Sequence, residues 1–173
     1  MNINIKQANI KNSLFLAYKY DQYVKNAKKS ASESSDAPIH DDLRNAFSAL
    51  IPHFAFICEE IKESDCQDRL NNPDDELPEE HILLKYKTHG FTISGQGDSE
   101  GVTISGTKRL ESGKVLSLNT PFLKFEDYND YYFMAELREA IDNLKSEVYE
   151  YLEGKQAPPK QQAMELEEEE VAM

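Results

Sequence analysis

Apolar and polar residues alternate from position 13 to position 20, with Leu14, Leu16, Tyr18 and Tyr20 on one side and Phe15, Ala17 and Lys19 on the other. A period of two marks a strand with unlike faces. Ile3 and Ile5 predict a short strand before it, with residues 8–12 as the turn. Residues 25–37 are small, polar and charged, and read as a flexible loop. Asp36, Ala37 and Pro38 then form a helix-start signal, a capping side chain followed by a proline in the first turn. Beyond it Leu43, Phe47, Leu50, Ile51, Phe54, Ile57, Cys58 and Ile61 recur at helical spacing as one apolar stripe, with acids outside it. Pro52 lies within the stripe and predicts a kink or a restart of the helix.

Residues 64–80 hold Asn71, Asn72, Pro73 and Pro78 among seven acids and read as an acidic loop. Alternation returns over 82–88, with Ile82, Leu84 and Tyr86 against Leu83, Lys85 and Lys87. Two copies of Thr-Ile-Ser-Gly, at 92–95 and 103–106, predict a hairpin. Phe91, Ile93, Val102 and Ile104 would share its buried face, and Thr92, Ser94, Thr103 and Ser105 its open face. Residues 115–118 predict one more strand, broken by Asn119, Thr120 and Pro121. Phe133, Leu137, Ile141, Leu144, Val148 and Leu152 make the stripe of a second helix over 131–152, which Gly154 stops. The expected fold is α+β: an antiparallel sheet with two helices packed on one face and a disordered acidic C-terminal tail.

A chain of 173 residues suits one domain, placed here at 1–154, followed by the tail at 155–173. The tail is rich in Pro, Gln and Glu and has too little apolar area to offset its ordering entropy. No apolar run approaches the 18 residues of a membrane span. The first residues lack the unbroken apolar stretch of a signal peptide. Cys58 and Cys66 suggest no disulfide framework, so a reducing cytoplasm is expected.

The net charge of −13 argues against a nucleic-acid partner until its distribution is considered. Residues 1–30 carry six lysines and one aspartate, whereas residues 31–80 carry three basic and fourteen acidic groups. Residues 81–124 carry six basic and three acidic groups, and residues 125–154 two basic and nine acidic. The expected strands are therefore basic and the expected helices acidic.

Catalytic signatures are lacking. Gly95, Gly97 and Gly101 resemble a phosphate loop only in spacing, because a strand follows where a helix N-terminus would have to hold the anion. His40, His53, His81, His89, Cys58 and Cys66 show no paired metal-ligand spacing. No serine sits in a nucleophile elbow, and neither cysteine has a histidine beside it. Asp127, Asp130, Glu59 and Glu60 are candidate carboxylates by abundance alone. Neither an enzyme nor a cofactor is expected.

The basic strands carry the positive signal. Lys19, Lys25, Lys28, Lys29, Lys85, Lys87, Lys108 and Arg109 are the candidate nucleic-acid-binding residues, with Lys114 nearby and Tyr18, Tyr20, Tyr23 and Tyr86 interleaved. A sheet face left open by one-sided helices could neutralise phosphates and stack bases, as single-strand binders do. The alternation leaves the tyrosines unsettled: with Lys85 and Lys87 outward, Tyr86 belongs to the core. The tail, ending in four glutamates followed by Val171, Ala172 and Met173, is the expected contact for replication or recombination proteins.

Five pieces of the chain resemble a family of small proteins encoded by phages and prophages. They are residues 35–38, residues 43–52, the Thr-Ile-Ser-Gly strand, residues 118–121 and residues 151–155. The resemblance implies an accessory role near nucleic acid in a host cytoplasm and carries over no site residue. The leading expectation is a non-enzymatic accessory protein that contacts single-stranded nucleic acid or the replication machinery through its basic sheet face. The alternative is a protein-binding or inhibitory module that uses its acidic helices, as a mimic of DNA charge or an inhibitor of a host factor. A hydrolase comes third.

Overall fold

The computed structural model describes residues 3–157. Seven strands form one antiparallel sheet: β1 (Ile3–Lys11), β2 (Phe15–Val24), β3 (Ala27–Ser35), β4 (Tyr86–Ser94), β5 (Gly101–Arg109), β6 (Val115–Asn119) and β7 (Leu123–Lys124). Six run in the order β3-β2-β1-β4-β5-β6, and β7 pairs with β5 beyond the end of β6. The sheet is two three-stranded meanders joined where Gln7, Ala8 and Asn9 of β1 face Thr92, Phe91 and Gly90 of β4. Helices α1 (Asp41–Ser48), α2 (Ile51–Ile57), α3 (Glu63–Asn71) and α4 (Met134–Leu152) cover one face. The expected α+β fold is the observed one.

The N-terminal half departs from the expected element boundaries. β1 continues through the residues read as a turn, and the reversal is Asn12 and Ser13, both left-handed at φ 54 and 59°. Positive φ at both central residues gives the turn whose twist matches that of a hairpin. Lys25 and Asn26 repeat the device at φ 49 and 64°. Residues 27–35, expected within a flexible loop, are therefore the edge strand β3. Composition hid it, because an edge strand has little to bury and takes its order from the backbone ladder to β2 and from that turn.

The helix start expected at Asp36 falls instead at His40, whose Nδ1 accepts a hydrogen bond from the Asp42 N–H. Ile39 is held in extended backbone: its N–H donates to the Leu14 carbonyl, and it bridges to Gln156. Pro52 restarts the chain as α2, in the first turn where its missing N–H costs nothing. The acidic loop expected at 64–80 is helical as far as Asn71, with Cys66 buried. Its only apolar anchors are Cys66 and Leu70, too few for a periodic signal. Residues 82–85 form a 3₁₀ turn rather than a strand, leaving Leu83 buried and Leu84 exposed.

The C-terminal half follows its pattern. Phe91 faces Ile104 and Ile93 faces Val102, all four buried. Thr92 faces Thr103 on the opposite side. β6 ends at Asn119, and the α4 stripe is buried from Phe133 to Val148. Gly106 lies under Phe54, and a Cβ there would collide with that ring and with the Lys87 carbonyl. Phe47 packs on Phe91, and Phe54 meets Tyr86 edge to face at 5.8 Å. The Thr88 hydroxyl donates to the Phe47 carbonyl and ties α1 to β4.

Contacts with the folded unit continue past Gly154. Lys155 bridges Asp42 at 2.8 Å, Glu150 at 2.9 Å and Glu147 at 3.2 Å. The Ala157 N–H donates to the Pro38 carbonyl, and the side chain is buried. The remainder of the expected disordered tail, 158–173, lies outside the described residues.

Phe47→Ala and Leu137→Ala should each cost about 2–5 kcal/mol in urea unfolding, the range for large-to-small core changes; values near zero would contradict the burial described. A chain ending at Gly154 should melt measurably below one ending at Ala157, because only the longer one keeps the Lys155 and Ala157 contacts. Equal melting temperatures would place residues 155–157 outside the folded unit.

Candidate functional site

With every helix on one side, alternation assigns the other side of the sheet. β2 buries Leu16 and Tyr18, so Lys19 points away from the helices. β4 buries Tyr86 and Thr88, so Lys87 does too. Arg109 follows the same rule beyond Lys108, and Lys28 faces outward opposite Tyr23. Lys11, exposed at the end of β1, joins them. Between these cations the face is laid with hydroxyls and amides, among them Ser32, Ser34, Gln7, Asn9, Thr92, Thr103, Ser105 and Thr107. Gln7, Asn9, Lys11, Ala17, Lys19 and Ser32 line one shallow depression of about 250 Å³.

Four of the eight candidate cations thus share the open face: Lys19, Lys28, Lys87 and Arg109. Lys28 is engaged there, 3.4 Å from Asp21. Asp21 is nearly buried and its carboxyl is held low, first by the Ser30 hydroxyl at 2.7 Å and then by Lys28. Lys25 sits in the β2–β3 turn. Lys29, opposite Gln22, belongs to the helix side of the sheet. Lys85 lies in the 3₁₀ turn, where its charge reaches Glu60. Lys108 also turns to the helix side, 2.6 Å from Glu60 and 5.7 Å from the centre of the Tyr86 ring. The free cations of the open face are Lys11, Lys19, Lys87 and Arg109, none with an ion pair among the described residues. Lys11 was missed because its strand was read as a turn; its alternation with Asn9 was the available signal.

The expected stacking residues are elsewhere. Tyr86 is core, and Tyr18 and Tyr20 lie on the helix side with their hydroxyls on Glu33 at 2.7 and 3.2 Å. Of the four tyrosines only Tyr23 presents its ring on the open face.

At the end of the sheet β1 and β4 part, and a cleft of about 640 Å³ opens between them. Lys6 pairs with Glu100 there at 3.5 Å, beside Asp21 and Lys28, so two cations meet two carboxylates. Exposed aromatics gather instead near the start of α4, where Phe122, Tyr128 and Tyr132 stand among Glu126, Asp127 and Asp130.

The helix side holds the perturbed groups. His53 is 1% exposed, and burial lowers its pKa from 6.5 to about 4. Its Nδ1 and the Tyr131 hydroxyl share a hydrogen bond of 2.7 Å, and burial raises the Tyr131 pKa. Burial pushes the Cys66 thiol up to about 12 and raises Cys58, so neither is an activated nucleophile. Among the described residues no three His, Cys, Asp or Glu side chains come together to hold a metal. Among the described residues no helix is long and apolar enough to cross a membrane. No family model, curated protein or solved structure matches the chain.

The histidine sets a pH dependence. Between pH 6.5 and 4 the unfolded chain takes up a proton that folded His53 refuses. Stability should therefore fall as the pH is lowered through this window, by roughly 3 kcal/mol in all. His53→Gln should flatten that part of the urea-unfolding stability profile, and the wild-type ring should titrate near pH 4 by NMR. A midpoint near 6.5 would contradict its burial.

Proposed function

We propose that this protein is a non-enzymatic binding module whose open sheet face contacts the phosphate backbone of nucleic acid. The observation that carries this reading is the segregation of charge across the sheet. Lys11, Lys19, Lys87 and Arg109 project from a hydroxyl- and amide-covered face whose one strand carboxylate, Asp21, is already bonded to Ser30 and Lys28. Lys19 and Lys87 lie two strands apart and are offset along the sheet, since Lys19 faces Gln7, Gln7 faces Thr92, and Lys87 stands five residues before Thr92. Ammonium and guanidinium groups with hydroxyl donors between them suit phosphate oxygens. With Tyr18, Tyr20 and Tyr86 on the helix side, Tyr23 is the one tyrosine left to stack a base on the open face, so the contact is chiefly to backbone charge and tolerant of sequence. The resemblance to phage and prophage proteins supports an accessory role of this kind in a host cytoplasm.

The test is fluorescence anisotropy with a labelled 20-nucleotide strand and the matching duplex at about 50 mM salt. Binding should weaken steeply with salt. Lys19→Ala with Lys87→Ala should reduce the salt slope by about 1.4–1.8. Lys85→Ala, in the 3₁₀ turn beside Glu60, should leave the slope unchanged. A chain ending at Ala157 should bind more tightly, because the five glutamates beyond it compete for the same cations. Failure of that shorter chain to bind either nucleic acid would end the proposal.

A further inference from the structure

β3 ends the sheet, and its outer side is a nine-residue edge with no further strand among the described residues. The usual devices that blunt an edge are missing from it. Ala27–Ser35 contains no proline, and its register with β2 runs without a bulge. Every residue of it is exposed or half-buried. The two-residue turn at Lys25 and Asn26 fixes which backbone groups point outward. Such a turn closes on a hydrogen-bonded pair, here Val24 with Ala27, so the odd-numbered residues of β3 bond to β2. The N–H and C=O groups of Lys28, Ser30, Ser32 and Ser34 therefore face away from the sheet.

The side chains of this edge are self-complementary. Lys29 and Glu33 stand on the helix side, two positions to either side of Ala31, the middle of the strand. An antiparallel copy of β3 laid along the edge with full overlap sets Ala31 opposite Ala31 and Ala27 opposite Ser35. The same register sets Lys29 opposite Glu33, twice. It also brings Ser30 opposite Ser32 and Lys28 opposite Ser34, so each outward backbone group meets another. A slip of one residue misaligns those groups, and a slip of two loses both charge pairs. Lysines on an edge ordinarily guard against pairing. Here Lys29 meets an acid, and Lys28 is already tied to Asp21 at 3.4 Å. Glu33 is held in place by the Tyr18 and Tyr20 hydroxyls, at 2.7 and 3.2 Å. The other residues are Ala and Ser, small enough for close approach.

We infer that β3 is a dimerisation edge, where two copies of this chain pair antiparallel about a two-fold axis through Ala31. The contact is isologous, each Lys29 meeting Glu33 of the second copy. The axis runs normal to the sheet, so both open faces lie on one side and form one continuous basic surface. The dimer does not depend on the proposed nucleic-acid role and is tested without nucleic acid.

Sedimentation equilibrium of the full chain should show a monomer–dimer equilibrium. One strand pair is smaller than an obligate interface, so the dimer should dissociate on dilution. Lys29→Glu and Glu33→Lys should each leave a monomer, because like charges then face each other across the edge. Both residues are exposed, so both variants should fold, and an equimolar mixture of the two should restore the dimer. Ser32→Pro removes an outward N–H and no bond to β2, and should also give a folded monomer. Ala31→Cys should cross-link to its counterpart on mild oxidation, since the facing Cα atoms of a non-hydrogen-bonded pair lie about 4.5 Å apart. A wild-type chain that stays monomeric at every concentration would overturn the assignment and leave the edge to a strand of another protein. A dimer that survives Ser32→Pro, or a charge-reversed mixture that stays monomeric, would overturn it as well.

Discussion

Ile5 and Ala8 lie three residues apart in one strand, and both are fully buried. Unbroken pleating would put them on opposite faces. The β1–β2 register shifts between Ile5 and Gln7, and that extra residue returns Ala8 to the core. Thr88 and Phe91 repeat the arrangement across the seam, with the β4–β5 register shifting between Thr88 and Gly90. The two bulges flank the three residue pairs that join the meanders. Without them one half of the sheet would turn its apolar face to water, and the helices would have no continuous surface to cover.

One-sided burial follows from that seam, and the distribution of charge follows from the burial. Groups opposite the helices remain wet, so lysines there can stay unpaired at little cost. Groups on the helix side meet acids. Lys108 is drawn onto Glu60 and Lys155 onto Asp42, Glu147 and Glu150. The protein is therefore polarised across its thickness, with a basic polar sheet face and an acidic helical face. Its net charge of −13 describes neither surface.

Lys155 connects this polarity to the limits of the fold. It lies beyond Gly154, whose φ of 108° ends α4, yet it closes the chain back onto α1. The same segment holds Ile39 in extended backbone and so sets where α1 begins. The two ends of the helical layer are thus specified together by contacts more than a hundred residues apart.

The amino-acid pattern alone determined the fold class, the β4–β5 hairpin with its faces, β6 and α4. In each of these, local periodicity and tertiary burial agree: Phe91, Ile93, Val102 and Ile104 alternate, and Phe133 to Val148 step by three and four. It also placed basic residues on the strands and acids on the helices. Only the tertiary structure decided β3, α3 and the start of α1, because Ala27–Ser35 and Glu63–Asn71 carry almost no apolar signal and take their form from neighbours. It alone decided which lysines share a face, since a bulge or a turn shifted by one residue inverts every side chain beyond it. The alternation already grouped Tyr86 with the core and Tyr18 and Tyr20 with Leu16, opposite Lys19; that Lys108 meets Glu60 and that Lys11 lies on the open face needed the packed sheet.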